Sequence, residues 1–106
     1  MHGALLVDPD NYIFFSAISI FEIAVKQRLS KQGFDVEASV VKRMMIENDF
    51  MELPVDGRLA AHVATLPLIH RDPFDRLIVA QSITEGFTLI TADHEIARYP
   101  SPILKI

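Results

Sequence analysis

The sequence predicts an α/β domain with a mostly parallel central sheet flanked by helices. Short apolar segments bounded by turn residues alternate along the chain with longer segments whose apolar residues recur at helical spacing. The chain has 106 residues, of which 50% are hydrophobic and 23% charged, so residues 1–106 are expected to form a single domain around one core.

The first strand and the first helix are predicted to follow each other directly. A turn-forming segment precedes "YIFFS", residues 12–16, which is short, aromatic and apolar, as expected of a buried strand. A helix is predicted from Ser19 to Leu29, because Ser19 and Glu22 have the spacing of a capping box and helical periodicity follows them. Gly33 is expected to end this helix.

The middle of the chain predicts two more helices separated by a strand. Apolar pairs alternate with charges at a period near 3.6 from about Asp35 to Asn48, which indicates an amphipathic helix. A strand over "FMELPV" is expected to stop pairing at Pro54. The third helix covers "DGRLAAHVATL", with Asp56 as its N-cap.

The last helix has the clearest boundary signals. Asp72 suits the N-cap, Pro73 the first helical position and Gly86 the position just past the end. The remaining predicted elements are a strand over "FTLIT", one helical turn over "HEIARY" and a terminal strand over "ILKI".

Composition excludes several classes of function. The net charge of −4 and the pI near 5.4 leave no global basic field to attract nucleic acid, so any such contact must be local. The absence of cysteine excludes disulfides, thiolate zinc sites and cysteine nucleophiles. No apolar segment has the length of a membrane span and no secretory signal is visible, so we expect a soluble, cytoplasmic protein.

Four carboxylates are predicted to gather at one edge of the sheet. Glu22 follows the first predicted strand, Asp72 and Asp75 open the last helix, and Asp93 follows the next strand. Helix starts and strand ends share one edge of a parallel sheet, where ligands usually bind. Two such charges about 4 Å apart repel by about 4 kcal/mol at an effective dielectric of about 20, so the cluster must protonate, spread out or bind a cation. Oxygen ligands favour Mg²⁺ or Mn²⁺, which suits phosphodiester hydrolysis.

Each of these acids also has a purely structural interpretation. Asp72 can be an N-cap worth about 1 kcal/mol, and Asp75 can stabilise the helix dipole. Glu22 can belong to a capping box and pair with Lys26, and Asp93 can cap the turn that follows it. The coincidence of all four at one edge is what favours a site.

The other candidate residues carry weaker signals. His70 and His94 have no sequence partner at metal-ligand spacing, His62 fits a surface or partly buried position on a helix, and no glycine-rich phosphate loop is present. Basic residues near the acids can contact phosphates but are more often solvated ion pairs. The residues concerned are His62, His70, His94, Lys26, Arg28, Arg71 and Arg76.

Three segments together resemble the PIN domain, specifically the VapC-like toxins of type II toxin-antitoxin systems. They are "FFSAISIFEIAVKQRL", "LPLIHRDPFDRLIVAQSITEGFTLITAD" and "SPILKI". They carry the patterns S-x-x-E-x-x-x-K, H-R-D-P-F-D-R and L-I-T-A-D in this order. The resemblance implies a PIN-like three-layer domain and a Mg²⁺- or Mn²⁺-dependent endoribonuclease that cuts RNA, usually as a dimer, and is neutralised by a cognate antitoxin.

The resemblance also implies roles for the four acids. Glu22, Asp75 and Asp93 match the catalytic acids of the family, and Asp72 matches an additional acid common in this branch. All four are therefore expected to bind the metal, directly or through water, and to activate the attacking water.

The beginning of the sequence departs from the family pattern. The family starts with a strand that lies in the middle of the sheet and ends in another acid, and this sequence begins after it. "MHGALLVDPDN" resembles the end of the helical segment and the loop that come next, so Asp8 and Asp10 cannot replace the missing acid. We therefore expect weaker metal binding and an open seam unless the sheet closes or borrows a strand, which favours a homodimer with strand exchange as one route.

Two functions remain open from the sequence. The first is a VapC-type ribonuclease that hydrolyses RNA phosphodiester bonds. The alternative is a catalytically impaired PIN-like remnant that binds an antitoxin or another partner. A small-molecule phosphatase is disfavoured because no aspartyl nucleophile motif follows the first strand.

Overall fold

A computed structural model describes residues 4–29, 36–69 and 71–106 of the chain. The elements follow the predicted order, with one additional strand before the first predicted one. They are β1 (Leu5–Val7), β2 (Ile13–Ser16), α1 (Ala17–Leu29), α2 (Ala38–Glu47), β3 (Met51–Leu53), α3 (Gly57–His62), α4 (Pro73–Glu85), β4 (Thr88–Thr91) and β5 (Ile103–Lys105). The described helices flank one five-stranded sheet, which confirms the predicted three-layer α/β class.

The strand order of the sheet is β3-β2-β1-β4-β5. β2 pairs with β3 in parallel, and β4 pairs with β5 in parallel, with Phe14 opposite Met51 and Leu89 opposite Ile103. β1 lies in the centre and runs antiparallel to both β2 and β4. The other four strands therefore all run in the same direction.

The central strand corrects the interpretation of the first residues. Leu5–Val7, expected to be the end of a helical segment and a loop, forms the middle of the sheet instead. Leu6 pairs with Phe14 on one side and with Leu89 on the other, and it is 0% exposed. The expected open seam is closed by the chain's own residues, because a central strand satisfies its backbone groups on both sides. The sheet does not need a borrowed strand.

The start of α1 differs from the prediction by two residues. The helix begins at Ala17, directly after β2, so Ser19 is inside its first turn and does not act as the N-cap. The hydroxyl of Ser16, the last residue of β2, accepts a hydrogen bond from the Ile18 backbone N–H at 3.1 Å. A buried serine at the strand end thus takes the place of the predicted capping box.

The remaining boundary signals hold. Asp56 accepts a hydrogen bond from the Leu59 N–H at 2.9 Å as the N-cap of α3, and β3 ends immediately before Pro54. Gly86 ends α4 in the left-handed conformation with φ 70°. Gly33 and Asp35, expected to separate α1 from α2, lie outside the described residues.

The core lies between the sheet and the helices that cover it. β1 and β4 supply Leu6 and Leu89, and α4 supplies Ile78, Val79 and Ala80, all of which are buried. α2 contributes differently, because none of its residues, all of which the structure describes, is buried. Its apolar residues cover the domain only partly, and Met44 and Ile46 are exposed.

Candidate active site

The ends of several elements lie together at one edge of the sheet. β2 and β4 run in the same direction, so both end at this edge, and α1 begins there because it follows β2 without a loop. α4 precedes β4 and is joined to it by a short turn at Gly86, so the two run in opposite directions. The N-terminus of α4 therefore lies at the same edge as the end of β4. Asp93 lies two residues past the end of β4.

Glu22 is a buried carboxylate in the second turn of α1, not in the first as predicted, because the helix begins earlier. Its side chain is 3% exposed, and Oε2 lies 3.0 Å from the Nζ atom of Lys26, which is 40% exposed. The predicted pair at i, i+4 is therefore present. The pKa of the Lys26 ammonium is raised, chiefly by its hydrogen bond to Glu22 and to a smaller degree by the negative charge of Asp72.

Asp75 is the second buried carboxylate, in the first turn of α4 and 2% exposed. Its neighbour Phe74 packs edge-to-face on Phe21, the neighbour of Glu22, with ring centroids 5.7 Å apart. The start of α4 and the second turn of α1 are thus in direct contact. Glu22 and Asp75 each directly follow one of these two phenylalanines along the chain, so both buried acids belong to the helices that meet here.

Asp72 is the N-cap of α4, as predicted. Its Oδ1 atom accepts hydrogen bonds from the backbone N–H groups of Phe74 at 2.9 Å and Asp75 at 3.2 Å. The second of these bonds fixes the backbone of Asp75 itself. The carboxylate is half-buried, and it lies close enough to Lys26 for its charge to act on the ammonium.

Asp93 has the capping role that the sequence left open. Its Oδ1 atom accepts hydrogen bonds from the N–H groups of Glu95 at 2.7 Å and Ile96 at 3.1 Å, at the start of a short 3-10 turn. Its own N–H donates to the hydroxyl of buried Thr91 at the end of β4, at 3.0 Å. Thr91 and Ser16 thus play matching parts at the ends of β4 and β2.

The family model described as the PIN domain matches residues 3–102 of the chain. The chain belongs to the PIN domain family. PIN domains are generally metal-dependent nucleases, which agrees with buried acids at this edge of the sheet. Neither the curated proteins nor the solved structures give a significant match. None of the helices in the described part of this PIN domain is both long and apolar enough to cross a membrane.

The carboxylates of this PIN domain suit a metal ion that keeps several water ligands better than an ion that is coordinated by protein atoms alone. Within residues 4–29, 36–69 and 71–106, no three Asp, Glu or His side chains lie close enough together to hold a metal ion. Glu22 and Asp75 are buried acids on the two helices that contact each other through Phe21 and Phe74, whereas Asp72 and Asp93 serve as caps. Mg²⁺ keeps several waters and is commonly held by one or two carboxylates plus substrate phosphate, so two buried acids fit its chemistry.

Arg76, considered as a phosphate contact, is instead held by the protein. Its guanidinium donates hydrogen bonds to the carbonyl of Pro67 at 3.0 Å, the hydroxyl of Tyr99 at 3.1 Å and the carbonyl of Val63 at 3.2 Å. It thereby fastens the first turn of α4 to three other segments. Neighbouring Arg71 is exposed.

The histidines add nothing to the site within the described residues. His62 is half-buried on α3, His94 is exposed, and His70 lies outside the described residues. The residue that sequence reasoning missed is Ser16. The signal was present, because a hydroxyl residue ends an apolar strand and helix-forming residues follow at once.

Proposed function

We propose that this PIN domain is a Mg²⁺- or Mn²⁺-dependent endoribonuclease of the VapC toxin type. The observation that carries the proposal is the pair of buried carboxylates, Glu22 and Asp75, at the contact between α1 and α4 in a chain of this family. α/β domains usually bind their ligands at the edge where strands end and helices begin, and buried acids with perturbed surroundings there support a functional site.

In this mechanism Glu22 and Asp75 would hold the ion, and Asp72 and Asp93 would contribute negative charge from the same edge. A bound Mg²⁺ or Mn²⁺ would lower the pKa of a water molecule and neutralise charge on the phosphate. Asp72 also orients Asp75 through its hydrogen bond to the Asp75 N–H. Asp93, which is half-buried, would accept a proton from the attacking water while the water oxygen forms a new P–O bond, one P–O ester bond of the RNA breaks and the leaving oxygen takes a proton from solvent.

The decisive experiment is an RNA cleavage assay on a mixed RNA pool with Mg²⁺, with Mn²⁺ and with a chelator. We expect cleavage only with metal, and a loss of about a hundredfold or more in Asp75→Asn, since even partners outside a metal's ligand shell cost about 10–100-fold. Activity that persists in the chelator would contradict the proposal.

Asp56→Asn is the matched control for this assay. Asp56 is an N-cap like Asp72, on α3, and asparagine retains capping while removing the same charge. This variant should cleave RNA as the unchanged chain does. An equal loss in Asp56→Asn and Asp75→Asn would show that general destabilisation, not the loss of a metal ligand, abolishes cleavage.

The second candidate function is that of a catalytically impaired PIN domain that acts by association. It is favoured by the ion pair between Glu22 and Lys26 and by the absence of a three-carboxylate cluster among the described residues. In that case the unchanged chain and Asp75→Asn both leave RNA intact in either metal. Both also bind the cognate antitoxin in a pull-down with equal yield.

For the partners we propose RNA as substrate, a cognate antitoxin and a second copy of the chain, in the cytoplasm. The dimer is supported by the exposed apolar residues of α2, because such faces are commonly covered by a partner. We expect light scattering to give a dimer that Met44→Glu converts to a monomer. Glu47→Lys, a charge change at an exposed polar position of the same helix, is the control and should remain dimeric.

A further inference from the structure

The positively charged ammonium of Lys26 lies next to Glu22, a carboxylate that the proposed function assigns to metal binding. The ammonium lies 3.0 Å from Glu22 Oε2, and Glu22 is almost completely buried whereas Lys26 is partly exposed. The lysine therefore covers the buried acid on its solvent side.

Two cations cannot both be close to the same carboxylate at low cost. A divalent ion bound to Glu22 at contact distance would lie within a few ångströms of the Lys26 ammonium, where like charges repel strongly. The lysine can leave, because it has a flexible four-carbon stem and a strongly hydrated head group that is already partly in water. Glu22 cannot leave as easily, because its helix is packed on α4 at this point.

We propose that Lys26 is a built-in competitor for the divalent ion, and that its ammonium must leave Glu22 before Glu22 can coordinate metal. This inference rests on the proposed function, in which Glu22 and Asp75 hold the ion. It assigns Lys26 the role of setting the metal concentration at which the site fills. Lys26 is thus a residue that tunes affinity and not a catalytic residue.

The opposite role for Lys26 makes an opposite prediction. If the lysine served to hold Glu22 in the orientation that metal binding needs, its removal would weaken binding. Competition predicts tighter binding when the ammonium is removed. The sign of the change therefore separates the two roles.

The test is direct binding of Mn²⁺ to the whole chain, followed by the electron paramagnetic resonance signal of free Mn²⁺. Lys26→Met keeps the length of the apolar stem and removes the charge, so we expect Mn²⁺ to bind about two- to fivefold more tightly, the range of a partly exposed ion pair. Lys26→Arg keeps the charge and should show no gain. Lys26→Gln gives a second neutral variant, and thermal unfolding of each variant confirms folding.

Two further variants show whether the effect acts through Glu22. Arg28→Met removes one positive charge from an exposed position on the same helix and should change Mn²⁺ affinity less than Lys26→Met does. The double variant Glu22→Gln/Lys26→Met should bind Mn²⁺ no more tightly than Glu22→Gln does, because Lys26 then has no carboxylate to pair with.

The outcomes separate this inference from the function on which it rests. Unchanged or weaker Mn²⁺ binding in Lys26→Met and Lys26→Gln, with binding still lost in Asp75→Asn, overturns the competition and leaves the metal site standing. A gain equal to that of Arg28→Met also overturns it, since it would reflect net charge alone. Absence of Mn²⁺ binding in every variant overturns the proposed metal site itself.

Discussion

Asp72 is the single residue at which structural and functional roles overlap most. Its carboxylate caps α4 through two backbone N–H groups, and its negative charge acts on Lys26 at the same edge of the sheet. Capping requires only an oxygen acceptor, whereas attraction of a cation requires the charge. The two roles can therefore be separated by substitution.

We expect Asp72→Ser to keep the free energy of unfolding within about 0.5 kcal/mol of the original, because serine is a good N-cap. Asp72→Ala should lose about 1 kcal/mol, measured by urea denaturation. Both variants should bind Mn²⁺ severalfold more weakly, because both lose the charge. Full Mn²⁺ affinity in the serine variant would restrict Asp72 to capping.

At the scale of elements, the two glycines that the structure describes lie at opposite ends of helices and differ in backbone conformation. Gly86 ends α4 at φ 70°, and Gly57 is the first residue of α3. A Cβ atom added at either position would meet no heavy atom within 4 Å. A difference between the two alanine variants therefore reports on backbone conformation and not on crowding.

We expect Gly86→Ala to lower the free energy of unfolding by about 1 kcal/mol, since left-handed backbone costs an L-residue about 1–2 kcal/mol. Gly57→Ala should be neutral or stabilising by up to about 1 kcal/mol, because alanine restricts the unfolded chain and favours helix. Chemical denaturation of both variants measures the difference. Equal effects would show that the conformation of Gly86 is not the cause.

The elements that the sequence predicts well are those whose boundaries depend on neighbouring residues. Asp56, Asp72 and Gly86 act on groups within a few positions, so their roles can be recognised from the letters alone. The predicted start of α1 at Ser19 is wrong by two residues, because Ser16 also offers a hydroxyl and is the one that caps the helix. The strand before the helix decides between them, since β2 extends to Ser16 and leaves no loop.

The features that the sequence did not predict depend on distant residues. Leu5–Val7 is a short apolar segment that could belong to a helix or a strand, and its place follows from pairing with β2 and β4 together. The same holds for the site. The sequence predicts four acids at one edge, but the contact of Phe21 with Phe74, next to Glu22 and Asp75, depends on the packing of two helices.

At the scale of the whole molecule, the central strand joins the two parallel halves of the sheet. We expect Leu6→Ala to lower the free energy of unfolding by about 2–5 kcal/mol, because it removes a fully buried side chain between β2 and β4. Leu104→Ala in edge strand β5, where the side chain is 55% exposed, is the control and should change it by about 0.5 kcal/mol or less.

Urea denaturation of these two leucine variants measures both values. A small effect of Leu6→Ala would contradict the central position of β1, because a side chain in an edge strand or a loop can be shortened at little cost. Comparable large effects at both positions would show that Leu104 is as deeply buried in the sheet as Leu6, which contradicts its place in an edge strand.

The position of β1 also determines the order in which the sheet can assemble during folding. One neighbour of β1 follows it within a few residues, so that hairpin can form early, whereas the other, β4, is separated from it by most of the chain. Until β4 arrives, one side of an apolar strand has unpaired backbone groups, which invite pairing with another nascent chain. This PIN domain should therefore aggregate most readily while its synthesis or refolding is incomplete.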